Sequence, residues 1–273
     1  MSETAAETRS PAEILVGTSG YSFDDWVGPF YPPGMRSGEF LRHYSRHFPT
    51  VEVNATYYRI PEPRVLEQME QKTPDGFRFV VKLHQSFTHE RSLDAEALAR
   101  FLAVLEPLKR AGKYDGLLAQ FPWSFKRTPE HRRHLAALRE AFAGEPLFVE
   151  FRHDSWLQPG LEASLREHHI GYCAVDEPAL PGLMPPVVLR TTEDGYVRFH
   201  GRNADTWWGK SGGDRYDWDY SRAELGSWME RIRSLAEQAR RVYLFFNNCH
   251  AGQAARSAKL MQEMLRQQGL LKD

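Results

Sequence analysis

The sequence predicts a single α/β domain, a (β/α)8 barrel of the TIM type, with an irregular connection after the sixth strand. Two observations carry that prediction. Short β-prone runs alternate with helix-period segments from residue 14 onward, with no linker between them. Strand after strand also closes on polar residues: Val51-Glu52-Val53-Asn54, Val81-Lys82-Leu83-His84, Ala119-Gln120, Val149-Glu150-Phe151-Arg152, Val175-Asp176, Phe199-His200-Gly201-Arg202 and Phe246-Asn247-Asn248. An interior strand has no structural need to end on an ionisable side chain, and burying so many in separate places would be costly. Their ends therefore converge on one site at the carboxyl edge of a parallel barrel. A doubly wound open sheet is the second choice, but the chain has neither a P-loop nor a convincing dinucleotide-binding glycine motif.

Residues 1–11 are small and polar and read as a disordered leader, which leaves 12–273 as the barrel domain. Residues 14–18 form the first strand, closed by Ser19-Gly20. Residues 38–48 carry Phe40, Leu41, Tyr44 and Phe48 at helical spacing. Residues 50–54 alternate as a strand, and 63–72 open with a proline near a helix start. A strand at 77–82 precedes a long amphipathic helix from about Asp94 to Arg110. The rhythm continues with strand 116–120, helix 129–142, strand 147–151, helix 159–169 and strand 172–176.

The rhythm then fails. Pro178, Pro181, Pro185 and Pro186 forbid a regular helix. Residues 187–190 read as a minor extended piece before an Asp194-Gly195 turn, and 196–200 as the seventh main strand. A loop at 202–220, with Gly209, Gly212 and Gly213 around Trp207 and Trp208, reads as a mobile lid or an ordered Ω-loop. Helix 221–240, strand 242–247 and a closing helix to about Gln268 complete the chain.

Composition narrows the function classes. The 273 residues are 41% hydrophobic and 26% charged, as in ordinary globular proteins, and the net charge of −1 gives no global field to recruit nucleic acid or anionic lipid. Cys173 and Cys249 form no C-x-x-C pair, there is no apolar run of membrane-spanning length, and the amino terminus lacks signal-peptide character. The expectation is a cytoplasmic protein, with oligomeric state left open.

The strand ends supply the chemistry. Glu52, Glu150 and Asp176 end three different strands, and carboxylates facing one another across a mouth can run acid/base chemistry. The bland alternative is a ring of salt bridges with Lys82 and Arg152. Lys82, Arg152, His200 and Arg202 point to an anionic ligand, arginine offering bidentate contacts and lysine a point charge. Lys82 reads as an anion contact or a partner for Glu52, ahead of a Schiff-base nucleophile. His84, His89, His153, His200 and His250 invite a metal reading, but the positive neighbours oppose a dication, so no metal and no cofactor is expected. Asn54, Gln120, Asn247 and Asn248 suit hydroxyls or amides, with one of the last two satisfying backbone groups instead. Ser19 and Gly20 form a turn whose amides could touch an anion, and Tyr21 and Trp156 stand among aromatics that could stack on a ligand.

Several of these motifs, in order, resemble the DUF72 (YecE-like) family. They are Val16-Gly17-Thr18-Ser19-Gly20-Tyr21, Thr50-Val51-Glu52-Val53-Asn54-Ala55-Thr56-Tyr57-Tyr58, Gln120-Phe121-Pro122, Glu150-Phe151-Arg152-His153-Asp154-Ser155-Trp156, Arg198-Phe199-His200-Gly201-Arg202 and Phe246-Asn247-Asn248. Cys249-His250 and Tyr58 depart from the family's usual pattern. The resemblance implies a TIM barrel and no particular reaction. From the residues themselves, the expected function is metal-independent acid/base catalysis on a phosphorylated or otherwise anionic small molecule. Catalysis would rest on Glu52, Glu150, Asp176 and His200, and binding on the remaining strand-end residues. A nucleic-acid-binding or phosphodiester-processing protein using the same mouth is the alternative.

Overall fold

Eight parallel strands close on themselves in sequence order, each paired with the next and β8 with β1. The computed structural model describes residues 12–209 and 214–271. The expected leader at 1–11 and the loop glycines Gly212 and Gly213 lie outside the described residues. The first half runs β1 (Glu13–Ser19), α1 (Ser37–Tyr44), β2 (Thr50–Val53), α2 (Ala55–Tyr58), α3 (Pro63–Glu70), β3 (Arg78–Lys82), α4 (Gln85–Thr88), α5 (Ala95–Arg110) and β4 (Tyr114–Gln120). The second half runs α6 (Pro129–Ala141), β5 (Leu147–Glu150), α7 (Leu161–Glu167), β6 (Ile170–Asp176), β7 (Asp194–Phe199), α8 (Arg222–Gly226), α9 (Met229–Gln238), β8 (Arg241–Phe246) and α10 (Gln253–Gln267).

Local chemistry sets the helix starts. Asp94 accepts from the Ala97 amide at 2.9 Å, which fixes the start of α5. Thr128 accepts from His131 N at 3.2 Å, with Pro129 in the first helical position, where no amide hydrogen is missed. Ser221 and Glu224 form a reciprocal capping box on α8.

The expected irregular connection after the sixth strand is present: no regular helix or strand stands between β6 and β7. Its details differ from expectation. Residues 187–190 form no strand, because Thr191 takes over the ladder with its side chain. The Thr191 hydroxyl accepts from Tyr172 N at 2.8 Å and donates to Ile170 O at 2.6 Å. Asp194-Gly195 is the start of β7 rather than a turn, in register with Arg241 and Val242. The single helix expected over 221–240 is two helices. They part at Ser227 and Trp228, where the Ser227 hydroxyl bonds back to Glu224 O at 2.6 Å and the buried Trp228 indole reaches Asp176.

The amino-terminal end of the barrel is plugged. Tyr243 donates to Asp115 Oδ2 at 2.7 Å, Arg241 Nη1 lies 3.3 Å from Asp115 Oδ1, and the Phe148, Tyr196 and Tyr243 rings fill the layer above. Among the described residues no helix is long and apolar enough to cross a membrane.

Candidate active site at the carboxyl-terminal mouth

Alternation along each strand decides which polar side chains enter the barrel, since neighbouring residues face opposite sides of a sheet. On β7, Tyr196 and Arg198 point inward and His200 continues their parity. On β8, Tyr243 points inward and Asn247 follows. The result is one buried network. Arg198, only 1% exposed, donates from Nη1 to Glu150 Oε2 at 2.6 Å and from Nη2 to Glu52 Oε1 at 2.7 Å. Its Nη2 also reaches Ser19 Oγ at 3.2 Å and Asn247 Oδ1 at 3.4 Å. Tyr196 donates to the other oxygen of Glu52 at 2.6 Å. Arg152 closes the upper side, with Nε 2.5 Å from Glu150 Oε1 and Nη1 3.0 Å from Glu177 Oε2.

The network fixes the tautomer of His200. Asn247 presents its oxygen to Arg198, so its amide nitrogen faces His200 Nδ1 at 3.1 Å, and Arg152 Nη2 approaches the same nitrogen at 3.5 Å. Nδ1 is therefore an acceptor and Nε2 carries the hydrogen, 3.2 Å from Glu150 Oε1 but off the line of a well-directed hydrogen bond. Burial and the neighbouring Arg152 push His200 down to about 3, so it is neutral at physiological pH. Burial alone would raise Glu150, but Arg152, Arg198 and His200 hold its carboxyl well below the usual range.

Above the network lies a cavity of about 450 Å³, lined by Tyr57, Lys82, His89, Gln120, Arg152, Trp207, Arg215 and Tyr216, with Tyr58, Pro122, Trp123 and Trp208 at its edges. Among the described residues its lining contains three cationic side chains and no carboxylate. Glu52 and Glu150 are completely buried and do not line it. Lys82 does not pair with Glu52: its Nζ donates to Gln120 Oε1 at 2.9 Å and sits 4.2 Å above the Tyr57 ring. Gln120 is oriented by its own donation to Phe121 O at 2.7 Å. Burial, with Arg198 and Arg152 nearby, brings Lys82 down to about 7. Burial and Lys82 bring His89 down to about 4.

Of the residues expected at the site, Ser19, Glu52, Lys82, Gln120, Glu150, Arg152, His200 and Asn247 are brought together. The others are not. Asp176 has the opposite parity to Cys173, whose thiol lies 3.9 Å from Glu150, and so faces the outer helices. There it accepts from Arg202 Nε at 2.8 Å, from Tyr220 at 2.7 Å and from the Trp228 indole. Arg202 is thereby committed to Asp176. Asn248, one residue past Asn247, also faces outward and ties Trp218 O (2.7 Å) to Ser257 (3.1 Å), the backbone duty expected of one of the pair. Trp156 is buried, stacked on Phe151 with centroids 4.2 Å apart, and donates to Phe125 O at 2.6 Å. Tyr21 and Asn54 line a separate groove of about 500 Å³ with Phe23, Val65 and Met69. The histidines near the strand ends do not gather: no three His, Cys, Asp or Glu among the described residues are placed to hold a metal ion.

Two residues of the network and the cavity lie outside the sequence expectation. Arg198 sits one position inside the end of β7, and Tyr196-Val197-Arg198-Phe199-His200 alternates polar and apolar, so the sequence carries its signal. Arg215 lies in a single 3-10 turn, Asp214–Tyr216, too short for periodicity to position.

A family model described as "Protein of unknown function DUF72" matches residues 15–272. The chain belongs to the DUF72 family. Its relative YunF of Bacillus subtilis (strain 168), a UPF0759 protein, is 33% identical over 269 residues, 92% of this chain and 94% of YunF. YecE of Escherichia coli (strain K12) is 31% identical over 153 residues, 55% of this chain and 52% of YecE. Crystal structures of DUF72 proteins superpose along the whole barrel. The Thermotoga maritima protein gives a TM-score of 0.86 at 41% identity, covering 93% of this chain and 99% of its own. The Enterococcus faecalis protein gives 0.82 at 28% identity, covering 93% and 95%. The resemblance seen in the motifs and the expected TIM-type barrel are both borne out.

Proposed function

We propose that this DUF72 protein is an acid/base enzyme acting on a small phosphorylated or carboxylated polar molecule held in the cavity at the barrel mouth. One observation carries the reading: among the described residues the lining presents Lys82, Arg152 and Arg215 and no carboxylate, the acids that pair with Arg152 lying behind it. Arg152 is held rigidly by Glu150 and Glu177, which leaves a fixed positive edge for an anion. Lys82, poised near neutrality, is the group that gives or takes a proton at the ligand. Glu52 and Glu150 act one layer below, holding Arg198 and Arg152 in place. The Trp207 ring, 5.8 Å from the Arg152 guanidinium carbon, shields the anion from water.

The test is a thermal-shift and calorimetric survey of inorganic phosphate, phosphosugars and small carboxylates. At least one should raise the melting temperature, and Arg152→Ala and Arg215→Ala should each weaken its binding by about tenfold, the worth of a lost charge-assisted hydrogen bond. Binding indifferent to both arginines would refute the assignment.

A nucleic-acid ligand is the second reading. It is favoured by the exposed rings of Tyr58, Trp123 and Trp208 at the cavity edge, with Lys126 Nζ 4.7 Å above Trp123. Oligonucleotide affinity that falls steeply with salt would support it.

A further inference from the structure

Lys82 is built for more than charge. Its Nζ emerges from the end of β3 into the cavity, and no carboxylate among the described residues pairs with it. One of its hydrogens is committed to Gln120 Oε1, an acceptor that cannot rotate away because the Gln120 amide is itself anchored to Phe121 O. In the neutral amine that bond turns the lone pair away from Gln120. The Tyr57 face beneath it stabilises whichever cation occupies the position.

We propose that Lys82 forms an imine with a carbonyl compound that carries a carboxylate or phosphate, the anionic group resting on Arg152 and Arg215. The inference rests on the anionic-ligand reading above and names the substrate class within it. In the step, the Nζ lone pair adds to the carbonyl carbon and a proton moves from nitrogen to oxygen, giving a carbinolamine. Loss of water, which carries off the carbonyl oxygen and the two amine hydrogens, leaves a C=N bond. Protonation of that nitrogen gives an iminium whose positive charge replaces the ammonium over Tyr57 and withdraws electrons from the substrate's neighbouring bonds. No oxidant or cofactor is consumed. Burial keeps a substantial fraction of Lys82 in the nucleophilic neutral form at physiological pH.

The experiment is reductive trapping. The full chain is incubated at pH 7 with pyruvate or glyceraldehyde 3-phosphate plus sodium borohydride, and the reduced adducts are located by peptide mapping. Acetaldehyde serves as the uncharged control. Labelling of Lys82 should exceed that of exposed lysines such as Lys126 by about tenfold or more, because Lys82 presents its amine in the cavity beside Arg152 and Arg215. The labelling should be stronger with an anionic probe than with acetaldehyde and suppressed by excess inorganic phosphate. The better probe tells carboxylate from phosphate. Adducts spread over surface lysines, or none at Lys82, would overturn the proposal. Phosphate calorimetry on the same protein separates the two readings: phosphate binding without a Lys82 adduct removes the imine alone, while loss of both removes the anion site as well. The mapping uses the unmutated protein, so it stands even if Lys82→Arg fails to fold.

Discussion

Asp176 and Arg152 both stand at strand ends, are both buried and are both ion-paired, yet they do different work. Asp176 gathers Arg202, Tyr220 and Trp228 on the outside of the barrel. Arg152 lines the cavity. Asp176→Asn removes the charge on which three donors depend and should cost about 3–5 kcal/mol in urea unfolding, as for a broken buried pair, with anion affinity unchanged in whatever fraction folds. Arg152→Ala should weaken anion binding, and a variant pair with these effects exchanged would contradict the division of roles. The distinction was legible at the level of residue parity. Glu52, Lys82, Gln120 and Glu150 close their strands facing inward, whereas Asp176 and Asn248 fall one residue out of phase with Cys173 and Asn247. A polar strand end alone does not say which face it takes, so reading ends without alternation brought in Asp176 and passed over Arg198.

Strand packing imposes a second kind of constraint. Gly17 lies in β1 where a Cβ would come within 2.3 Å of the Thr50 carbonyl oxygen on β2, a backbone atom that cannot swing aside. Gly17→Ala must therefore force β1 and β2 apart, two residues below Ser19 and opposite the strand that carries Glu52. It should destabilise the protein by about 1–3 kcal/mol, the usual cost of overpacking, read as a lower denaturation midpoint at unchanged slope. An unchanged midpoint would show that β1 shifts freely. Most elements were legible because hydrophobic period and turn residues agree along the chain, as in α5 with its Asp94 cap. The break between α8 and α9 was not. Helical periodicity runs through Ser227 and Trp228, and what parts the helices is a tertiary bond from the Trp228 indole to Asp176, 52 positions away in sequence. Thr191 replaces strand pairing in the same non-local way, so the expected piece at 187–190 had no partner left to bond.

The whole barrel should carry the signature of its buried network in its response to acid. His200 is held down to about 3 by burial and Arg152, so on acidification the unfolded chain takes up the proton first, below its ordinary value of 6.5. The stability that the neutral imidazole contributes is complete above pH 6.5 and is lost progressively as pH falls through the window toward 3. Glu150, whose carboxyl is depressed by Arg152, Arg198 and His200, adds a loss of the same sign below its ordinary 4.5. His89, brought down to about 4 by burial and Lys82, adds another. In urea midpoints, the two histidines contribute a loss of stability as pH falls from 6.5 to 5, at a slope of about 1 kcal/mol per pH unit for a fully buried group that titrates. Glu150 adds to it only below 4.5, and Glu177, raised to about 8 by burial, works in the opposite sense as pH falls from 8 to 4.5. His200→Gln removes one contributor. It should lower stability at pH 7 and flatten the decline between pH 6.5 and 5, leaving the contribution of His89 in place. A decline as steep in His200→Gln as in the parent would mean that His200 does not hold its neutral form against protonation. The tautomer with Nδ1 free to accept from Asn247 and Arg152 would then be excluded.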